Sequence, residues 1–302
     1  MARIVVLSDI HLSPTHGFFW ENWCVAREFA NAQRADAVIV NGDLAINGPD
    51  SDAEIAFAAR AVAALRPPSP APVLVLPGNH DVGDEPPGQD PDQIIDDERL
   101  ARWDRSFAAD RFVVDAGSFR LIGINAQLCG SGLARERLQD QWLDEQLSSA
   151  GGRPVALFLH KPLFMETPAE ATATSACMVP PARARLIARL DRADVRLVVS
   201  GHLHQHRERT VAGRRQLWLP AVAFAGDPVP GGDTRCGLVV LDFADGGVEV
   251  TVERPPGLVS HDLKAIRGSY PFLRDMPPCP PPAAGDGDPD VRIEHRDGSG
   301  RR

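Results

Sequence analysis

The chain has 302 residues, of which 43% are hydrophobic, enough to form the core of one large α/β domain or two small ones. It carries 32 basic and 41 acidic residues, which gives a formal net charge of −9 at pH 7. This balance argues against a protein that coats nucleic acid, because such a protein would present a basic stripe. It does not exclude a small anionic substrate, since bound cations can reverse the local sign of the potential.

The cysteines and the apolar runs bear on where the protein works. Five cysteines are scattered along the chain without a C-x-x-C spacing. An odd, unpatterned set of this kind is typical of reduced thiols in a cytoplasmic protein. The N-terminus leads directly into a strand-like run, so no signal peptide is predicted. No apolar run approaches the roughly 20 residues that span a bilayer. We therefore predict a cytoplasmic protein with no membrane association.

Short apolar runs alternate with helix-like segments along the chain. Ten runs predict β-strands, at residues 3–8, 37–41, 73–76, 112–115, 119–125, 155–159, 197–200, 216–220, 237–242 and 248–252. Five segments predict helices, at residues 20–34, 52–66, 96–109, 134–149 and 180–191. In the fourth helix, Leu138, Trp142, Leu143 and Leu147 are expected on one buried face.

The order of these elements predicts an α/β fold. The β-α-β-α-β order of the first half favours a parallel sheet with right-handed crossovers. The last third is rich in strands without intervening helices, which favours antiparallel pairing. A mixed, layered α/β domain over residues 1–275 fits both halves. Residues 276–302 are rich in Pro, Gly and Asp and lack apolar periodicity, so we predict a disordered tail.

Five short motifs follow predicted strands and carry possible metal ligands. They are Asp9-Ile10-His11, Gly42-Asp43, Gly78-Asn79-His80-Asp81, His160 and Gly201-His202-Leu203-His204. Alternate residues beyond a strand end project to the same side, so Asp9 and His11 can bind one ion together. Asp43 can bridge two ions with its two oxygens. Asn79 offers a neutral carbonyl oxygen.

Each motif has an ordinary explanation when it is taken alone. A turn aspartate, a helix cap or a surface histidine would account for any one of them. Together they supply two Asp, one Asn and four His at the ends of predicted buried strands. Ligands gather at the carboxyl ends of parallel strands, so the set indicates a metal-assisted hydrolase of phosphate esters.

The ordered set D-x-H, G-D, G-N-H-[DE], H and G-H-x-H resembles the calcineurin-like metallophosphoesterase superfamily over residues 3 to about 252. The resemblance implies a four-layer α/β/β/α sandwich with mixed sheets and a centre that binds two divalent ions. By position, Asp9, His11, Asp43 and His204 would bind one ion. Asp43, Asn79, His160 and His202 would bind the other. His80 would be the catalytic histidine beside the scissile phosphate, and we expect Asp81 to orient it.

Differences from the motifs of known subfamilies narrow the choice of subfamily that this chain resembles. Purple acid phosphatases have a tyrosine ligand three residues after the Asp of G-D, where this chain has Ile46. The calcineurin-related Ser/Thr phosphatases have G-N-H-E, whereas this chain has G-N-H-D. The chain most resembles compact class III cyclic-nucleotide and glycerophosphodiester phosphodiesterases. It would hydrolyse a small phosphodiester with a metal-activated water. Mn, Fe, Zn and Mg remain open, because N and O ligands alone do not select among them.

Two alternatives remain for the activity. One is a phosphomonoesterase, including a protein phosphatase. The other is a catalytically silent scaffold, although such proteins lose ligands that this chain retains.

Substrate choice would belong to loops. Phe18, Phe19, Trp20 and Trp23 follow the first motif and could form an apolar wall for an organic group, or pack inward as the start of a helix. Asn47, Asn125 and His206 are further pocket candidates. The oligomeric state is not indicated by the sequence.

Overall fold

The computed structural model describes residues 1–68, 71–88, 91–263 and 265. In this part of the chain the strands are β1 (Ala2–Leu7), β2 (Ala37–Asn41), β3 (Val73–Leu76), β4 (Phe112–Ala116), β5 (Phe119–Gly123), β6 (Val155–Phe158), β7 (Val195–Ser200), β8 (Arg207–Val211), β9 (Arg214–Trp218), β10 (Leu238–Ala244) and β11 (Gly247–Glu253). The central strands β1, β2, β6 and β7 are almost wholly buried. Their continuous runs of Val, Ile and Leu suit strands that are covered on both faces.

The strands form two mixed sheets. The first has the order β11-β10-β1-β2-β3, and the second has the order β4-β5-β6-β7-β9-β8. In the first sheet β1, β2 and β3 are parallel, and β10 and β11 add antiparallel strands at one side. In the second sheet β5, β6, β7 and β9 are parallel, with β4 and β8 antiparallel at the edges.

Helices cover the outer face of each sheet. They are α1 (Trp20–Ala32), α2 (Asp52–Val62), α3 (Asn79–Val82), α4 (Asp97–Asp104), α5 (Ala134–Ser148) and α6 (Pro180–Leu190), and 3-10 turns occupy Gly48–Asp50, Pro91–Gln93 and Ala126–Leu128. Local chemistry fixes where several of them begin. Ser51 caps α2 by accepting from the Glu54 N–H, Asp96 caps α4 by accepting from the Arg99 N–H, and α6 begins with two prolines.

Three apolar clusters separate these layers. The middle cluster packs the two sheets against each other through residues such as Ile4, Ile39 and Phe158. The second covers the outer face of the first sheet with α1, α2 and α4, and the third packs α5 and α6 on the second sheet. The fold is therefore an α/β/β/α sandwich with mixed sheets, and this prediction from the sequence is confirmed.

Most predicted elements lie within a few residues of their observed positions, but two predictions about the last third were wrong. The strand β8 (RERTV) was missed, because it is an exposed edge strand with almost no apolar residues. The neighbouring β9 pairs in parallel with β7 rather than only antiparallel. The helices α2 and α4 end earlier than predicted, since their last turns become 3-10-like, with Leu65 N–H bonded to Val62 and Ser106 N–H bonded to Trp103.

The predicted face of α5 was also partly wrong. Leu143 and Leu147 are buried, but Leu138 is 57% exposed. Gln139 takes the inward position instead, and its amide bonds both the N–H and the C=O of Asn125. The predicted tail at residues 276–302 lies outside the described residues. No helix in the described part of the chain combines the length and apolar character needed to cross a membrane.

Candidate metal centre

The seven predicted ligand residues follow the carboxyl ends of parallel strands from both sheets. Asp9 and His11 follow β1, Asp43 follows β2, Asn79 follows β3, His160 follows β6, and His202 and His204 follow β7. Two backbone bonds hold the first loops together, from Asp9 N–H to the Gly42 carbonyl and from His11 N–H to the Asp43 carbonyl, both 3.0 Å long. The side chains of two separate sheets therefore meet at one end of the sandwich.

These side chains form two ligand groups that share Asp43. The first ligand group is Asp9, His11, Asp43 and His204, and the second is Asp43, His160 and His202. Within each group the possible ligand atoms all lie within 4.8 Å of one another. His204 Nε2 is 3.2 Å from Asp9 Oδ1 and 3.1 Å from His11 Nε2. His160 Nε2 is 3.1 Å from Asp43 Oδ2.

Backbone carbonyls fix the orientation of three of the imidazoles. His160 Nδ1 donates to the Asn41 carbonyl at 2.9 Å, and His204 Nδ1 donates to the Phe224 carbonyl at 3.0 Å. His202 uses Nε2 instead, and donates to the Ser175 carbonyl at 2.8 Å. A carbonyl can only accept, so the other nitrogen of each ring keeps its lone pair when the ring is neutral. Histidines that bind metals usually have this arrangement, in which one ring nitrogen donates to a fixed acceptor and the other is available to the ion.

Some buried polar atoms of these residues are left without a hydrogen-bond partner. Asn79 Oδ1 and His11 Nδ1 are in this state in the described part of the chain. Such atoms are rare in proteins and call for an explanation, such as an ion. His80, which follows Asn79, donates its backbone N–H to Asp43 Oδ1 at 2.9 Å. The donor set, with oxygen and imidazole ligands, fits divalent ions.

The backbone of the ligand loops is strained. Asp9, His11, Asp43, His202 and His204 all have positive φ, between 42° and 72°. Residues with side chains seldom adopt this region, and each instance costs about 1–3 kcal/mol. Strain of this kind concentrates at functional sites.

Glycines allow the ligand loops to approach one another. A Cβ on Gly42 would lie 2.3 Å from His160 Nδ1, and one on Gly78 would lie 2.1 Å from Asp43 Oδ1. A Cβ on Gly201 would lie 2.6 Å from Asp9 Oδ2. The glycine that begins three of the five motifs therefore gives the ligand side chains the space they occupy.

The electrostatics of the cluster favour cations. Burial alone would raise the pKa of Asp43, but His160 and other nearby histidines bring it well below its usual value. Burial lowers the pKa of His160, yet Asp43 and Asp9 outweigh it and raise that pKa to about 9. Burial and Lys161 lower the pKa of His202 to about 4. Burial would likewise raise the pKa of Asp9, but the histidines bring it below its usual value. The carboxylates and His160 therefore stabilise each other's charged forms.

His80 is held differently from the prediction. Its Nδ1 donates to the Ile46 carbonyl at 2.8 Å, and its ring lies 4.9 Å from the His11 ring in an edge-on arrangement. The Asp81 carboxylate accepts instead from the backbone N–H groups of Gly78, Leu44 and Ala45. Asp81 thus shapes the loop that follows Asp43, and the role of orienting the His80 ring falls to a backbone carbonyl. Burial and Asp43 raise the pKa of Asp81 to about 7.

The aromatic residues after the first motif divide into two sets. Trp20 and Trp23 are buried in the core, so the inward-packing alternative holds for them. Phe19 packs on Phe224 at 5.1 Å, and Phe224 lies 4.1 Å from the His204 ring. Together with Ile46 and the half-buried Phe18 they form an apolar cluster beside the first ligand group.

The further pocket candidates have other contacts. Asn125 is fully buried and caps the turn that follows it by accepting from the Gln127 N–H. The Asn47 side chain accepts from Gln93. The backbone of His206 pairs with Asp233, and His206 belongs to neither ligand group.

A buried ion cluster lies behind the second ligand group and was not predicted. Lys161 Nζ contacts Asp84, and is 3.0 Å from Glu85 Oε2. The amide of Gln127 donates to both carboxylates and accepts from the Asn79 N–H when its nitrogen faces them. Burial raises the pKa of Glu85 to about 9. Burial lowers the pKa of Lys161, but Glu85 and Asp84 outweigh burial, so that this pKa lies above its usual value. Only the position of Lys161 directly after His160 could have indicated this cluster.

Comparison with protein families agrees with this geometry. Residues 2–206 match the family model described as calcineurin-like phosphoesterase. The chain belongs to the calcineurin-like phosphoesterase family. The predicted family is therefore confirmed, and the family's description agrees with the predicted enzyme class.

Curated relatives match about half of this chain. The glycerophosphodiester phosphodiesterase GpdQ of Enterobacter lignolyticus is 33% identical over 137 residues, which are 43% of this chain and 43% of that protein. The serine/threonine-protein phosphatase CPPED1 of Pongo abelii is 31% identical over 144 residues, which are 45% of this chain and 42% of that protein. Each match spans less than half of the relative.

Solved structures share the fold at low sequence identity. The purple acid phosphatase PPD1 from yellow lupin has a TM-score of 0.62 and 14% identity, and the match covers 86% of this chain and 52% of that one. A dimetal phosphatase from Danio rerio has a TM-score of 0.54 and 14% identity, and the match covers 83% and 95%. These likenesses show a common architecture.

Proposed function

We propose that this protein is a phosphodiesterase with a dinuclear metal centre, and that it hydrolyses a small organic or cyclic-nucleotide phosphodiester. The observation that carries the proposal is the pair of ligand groups that share the buried Asp43. Asp9, His11, Asp43 and His204 would bind one ion, and Asp43, Asn79, His160 and His202 would bind the other. When bound, two such ions polarise the phosphate and activate water near neutral pH.

The residues of the chain contribute orientation and a proton. His80 is only half-buried, whereas most of the ligand residues are buried, so it lies on the open side of the cluster. Its Nδ1–H is committed to the Ile46 carbonyl, so Nε2 is the atom that can carry a proton to the leaving alkoxide. Such assistance matters for a poor leaving group and little for a nitrophenolate. The apolar cluster of Phe19 and Phe224 would exclude water from His11 and His204.

The resemblance to GpdQ supports a diester substrate. The second candidate is a phosphomonoesterase, including a protein phosphatase, and the similar resemblance to CPPED1 supports it. We further propose a reducing compartment such as the cytoplasm, because Cys129, Cys177 and Cys236 are buried thiols outside any disulfide. The metal could be Mn, Fe, Zn or Mg.

A substrate panel on one preparation tests the proposal. The protein is stripped with chelator, reloaded separately with Mn, Zn, Fe or Mg, and assayed with a cyclic nucleotide, a glycerophosphodiester, p-nitrophenyl phosphate and a phosphoserine peptide. We expect activity only after reloading, with kcat/KM higher for a diester than for either monoester. Full activity in demetallated protein would reject the metal mechanism, and a preference for monoesters would favour the second candidate.

A further inference from the structure

Glu54 is a buried carboxylate close to His80 with no role in binding the proposed ions. It lies in the first turn of α2 and is 7% exposed. Its Oε1 accepts from the Ser13 hydroxyl at 2.5 Å. Its Oε2 accepts from the Ile46 N–H at 3.2 Å and the Asn47 N–H at 3.3 Å. The carboxylate therefore joins the loop after the first motif to the loop after the second.

The contacts of Glu54 differ from those that its position at the helix start would predict. In the pattern Ser51-Asp52-Ala53-Glu54, a glutamate normally returns to the N–H of the cap residue. Here the Ser51 N–H bonds the Gly48 carbonyl instead. Ser51 still caps the helix through its hydroxyl. The carboxylate of Glu54 is thus diverted from the cap to the loop at Ile46 and Asn47.

A single peptide group links Glu54 to His80. The Ile46 carbonyl accepts from His80 Nδ1 at 2.8 Å, and the N–H of the same peptide, on Asn47, donates to Glu54 Oε2. Hydrogen bonds at the two ends of one peptide group polarise each other, so the negative charge of Glu54 strengthens the Ile46 carbonyl as an acceptor. The arrangement is a carboxylate, a peptide and an imidazole in series.

We propose that Glu54 is the positioning residue for His80 and acts through the peptide between Ile46 and Asn47. It would do what the sequence had assigned to Asp81, and hold the ring so that Nε2 faces the leaving group. This inference rests on the proposed function, in which His80 supplies a proton to the leaving alkoxide.

The test is the Glu54→Gln substitution, measured by its dependence on the leaving group. Metal-loaded variant and wild type are assayed with glycerophosphocholine, which has an alkoxide leaving group, and with bis(p-nitrophenyl) phosphate, which has an activated one. We expect kcat to fall about tenfold for the alkyl diester, as for one weakened hydrogen bond to a charged group, and to change less than twofold for the aryl diester. KM and metal content should stay the same.

A double-mutant cycle with His80→Ala separates positioning from a structural role. If Glu54 acts through His80, then Glu54→Gln should cause no further loss of kcat on the alkyl diester in the His80→Ala background. Asp52→Asn is the matched control, because it removes an exposed carboxylate from the same turn of α2 and should leave both rates unchanged.

Three outcomes would overturn the inference: no loss in Glu54→Gln, equal losses on both substrates, or losses that add in the His80→Ala background. If Glu54→Gln does not fold, Ser13→Ala removes one donor to the same carboxylate and should give a smaller loss with the same leaving-group pattern. An equal loss on both substrates in Ser13→Ala would then overturn the inference about Glu54. A metal-loaded wild type that is inactive on all phosphoesters would reject the proposed function itself.

Discussion

Asp43 is the residue on which the two ligand groups depend. Its Oδ2 is 3.1 Å from His160 Nε2 in one group and 3.8 Å from His11 Nε2 in the other. Its Oδ1 accepts from the His80 N–H. A change at this position therefore affects both groups at once, whereas a change at another ligand affects one.

The substitution Asp43→Asn should remove or weaken both ions. We expect less than half of the wild-type metal content and activity at least about 100-fold lower, since even outer residues of metal sites cost 10–100-fold. His206→Ala is the control, because this histidine follows β7, as His202 and His204 do, but belongs to neither group. Metal analysis and kcat/KM measure both variants, and equal small effects would contradict the assignment.

His80→Ala should keep both ions and lower kcat. General acid assistance is worth about 10²–10⁴-fold, and we expect that loss on an alkyl diester, with a smaller loss on an activated aryl diester. Metal analysis together with the two rates measures this. A variant depleted of metal would instead make His80 a ligand. Equal losses on both substrates in a fully metal-loaded variant would contradict the role of His80 as proton donor.

The glycine of the second motif offers a steric test. Gly42→Ala would place a Cβ 2.3 Å from the buried His160 ring, and should cost stability and metal from the second ligand group. Gly213→Ala is a matched control, because Gly213 also has positive φ (78°) but faces open space. We expect about 1–2 kcal/mol of backbone strain in the control, a larger loss in Gly42→Ala, and metal loss only in the latter, as measured by urea unfolding and metal analysis. Indistinguishable variants would show that the close approach is unimportant.

At the scale of elements, the sequence predicted the strands that are buried along their whole length. The strands β1, β2, β6 and β7 are covered on both faces, so their apolar runs are unbroken and the motifs after them could be placed at their ends. The strand β8 carries no such signal, because an edge strand needs backbone pairing more than apolar side chains. The parallel pairing of β9 depends on which strand lies next to it in space.

The residues of the two ligand groups could be placed at strand ends from the sequence, but the contacts that orient their side chains could not. Carbonyls of Asn41, Ser175 and Phe224 hold the three fixed imidazoles. A backbone carbonyl is present at every position of a chain, so no residue type marks these roles. The same reason explains why Asp81 seemed the natural partner of His80, when the observed partner is the Ile46 carbonyl.

The buried ion cluster ties together the ends of three loops, and its removal should be costly. Lys161→Met would remove the cation that Asp84 and Glu85 contact, among side chains that are at most 4% exposed. Breaking one side of a buried pair costs about 3–5 kcal/mol, which urea unfolding can measure. Arg3→Met is the control, because it removes a half-exposed partner of Asp242 and should cost about 0–1 kcal/mol. Similar losses of unfolding free energy in both variants would mean that burial does not strengthen the contribution of the Lys161 ion pairs to stability.

At the scale of the whole molecule, the two sheets meet at the proposed metal centre. The first sheet supplies Asp9, His11, Asp43 and Asn79, and the second supplies His160, His202 and His204. Ions bound there would connect the sheets at one end, in addition to the apolar cluster between them. Metal binding and the stability of the sandwich should therefore be linked.

Removal of metal should lower stability and loosen loops of both sheets together. At an ion concentration 100 times Kd, each ion adds about 2.7 kcal/mol, so chelation should lower Tm. Hydrogen exchange should rise at residues 8–12, 42–45 and 78–81 of the first sheet and at 160–162 and 201–205 of the second. The loop at residues 150–153, where Gly151 and Gly152 are exposed, serves as an internal control and should not change. Faster exchange in one sheet alone would contradict the shared centre.

The left-handed backbone at five residues of the ligand groups would suit glycine better than the residues present. Glycine adopts positive φ freely, so a chain selected for stability alone would favour glycine at Asp9, His11, Asp43, His202 and His204. The sequence instead keeps acidic and imidazole side chains where the backbone disfavours them. Strain of this kind is tolerated when activity requires it, at a cost in stability. These five positions therefore combine an unfavourable backbone with side chains suited to binding cations, as strained functional sites do.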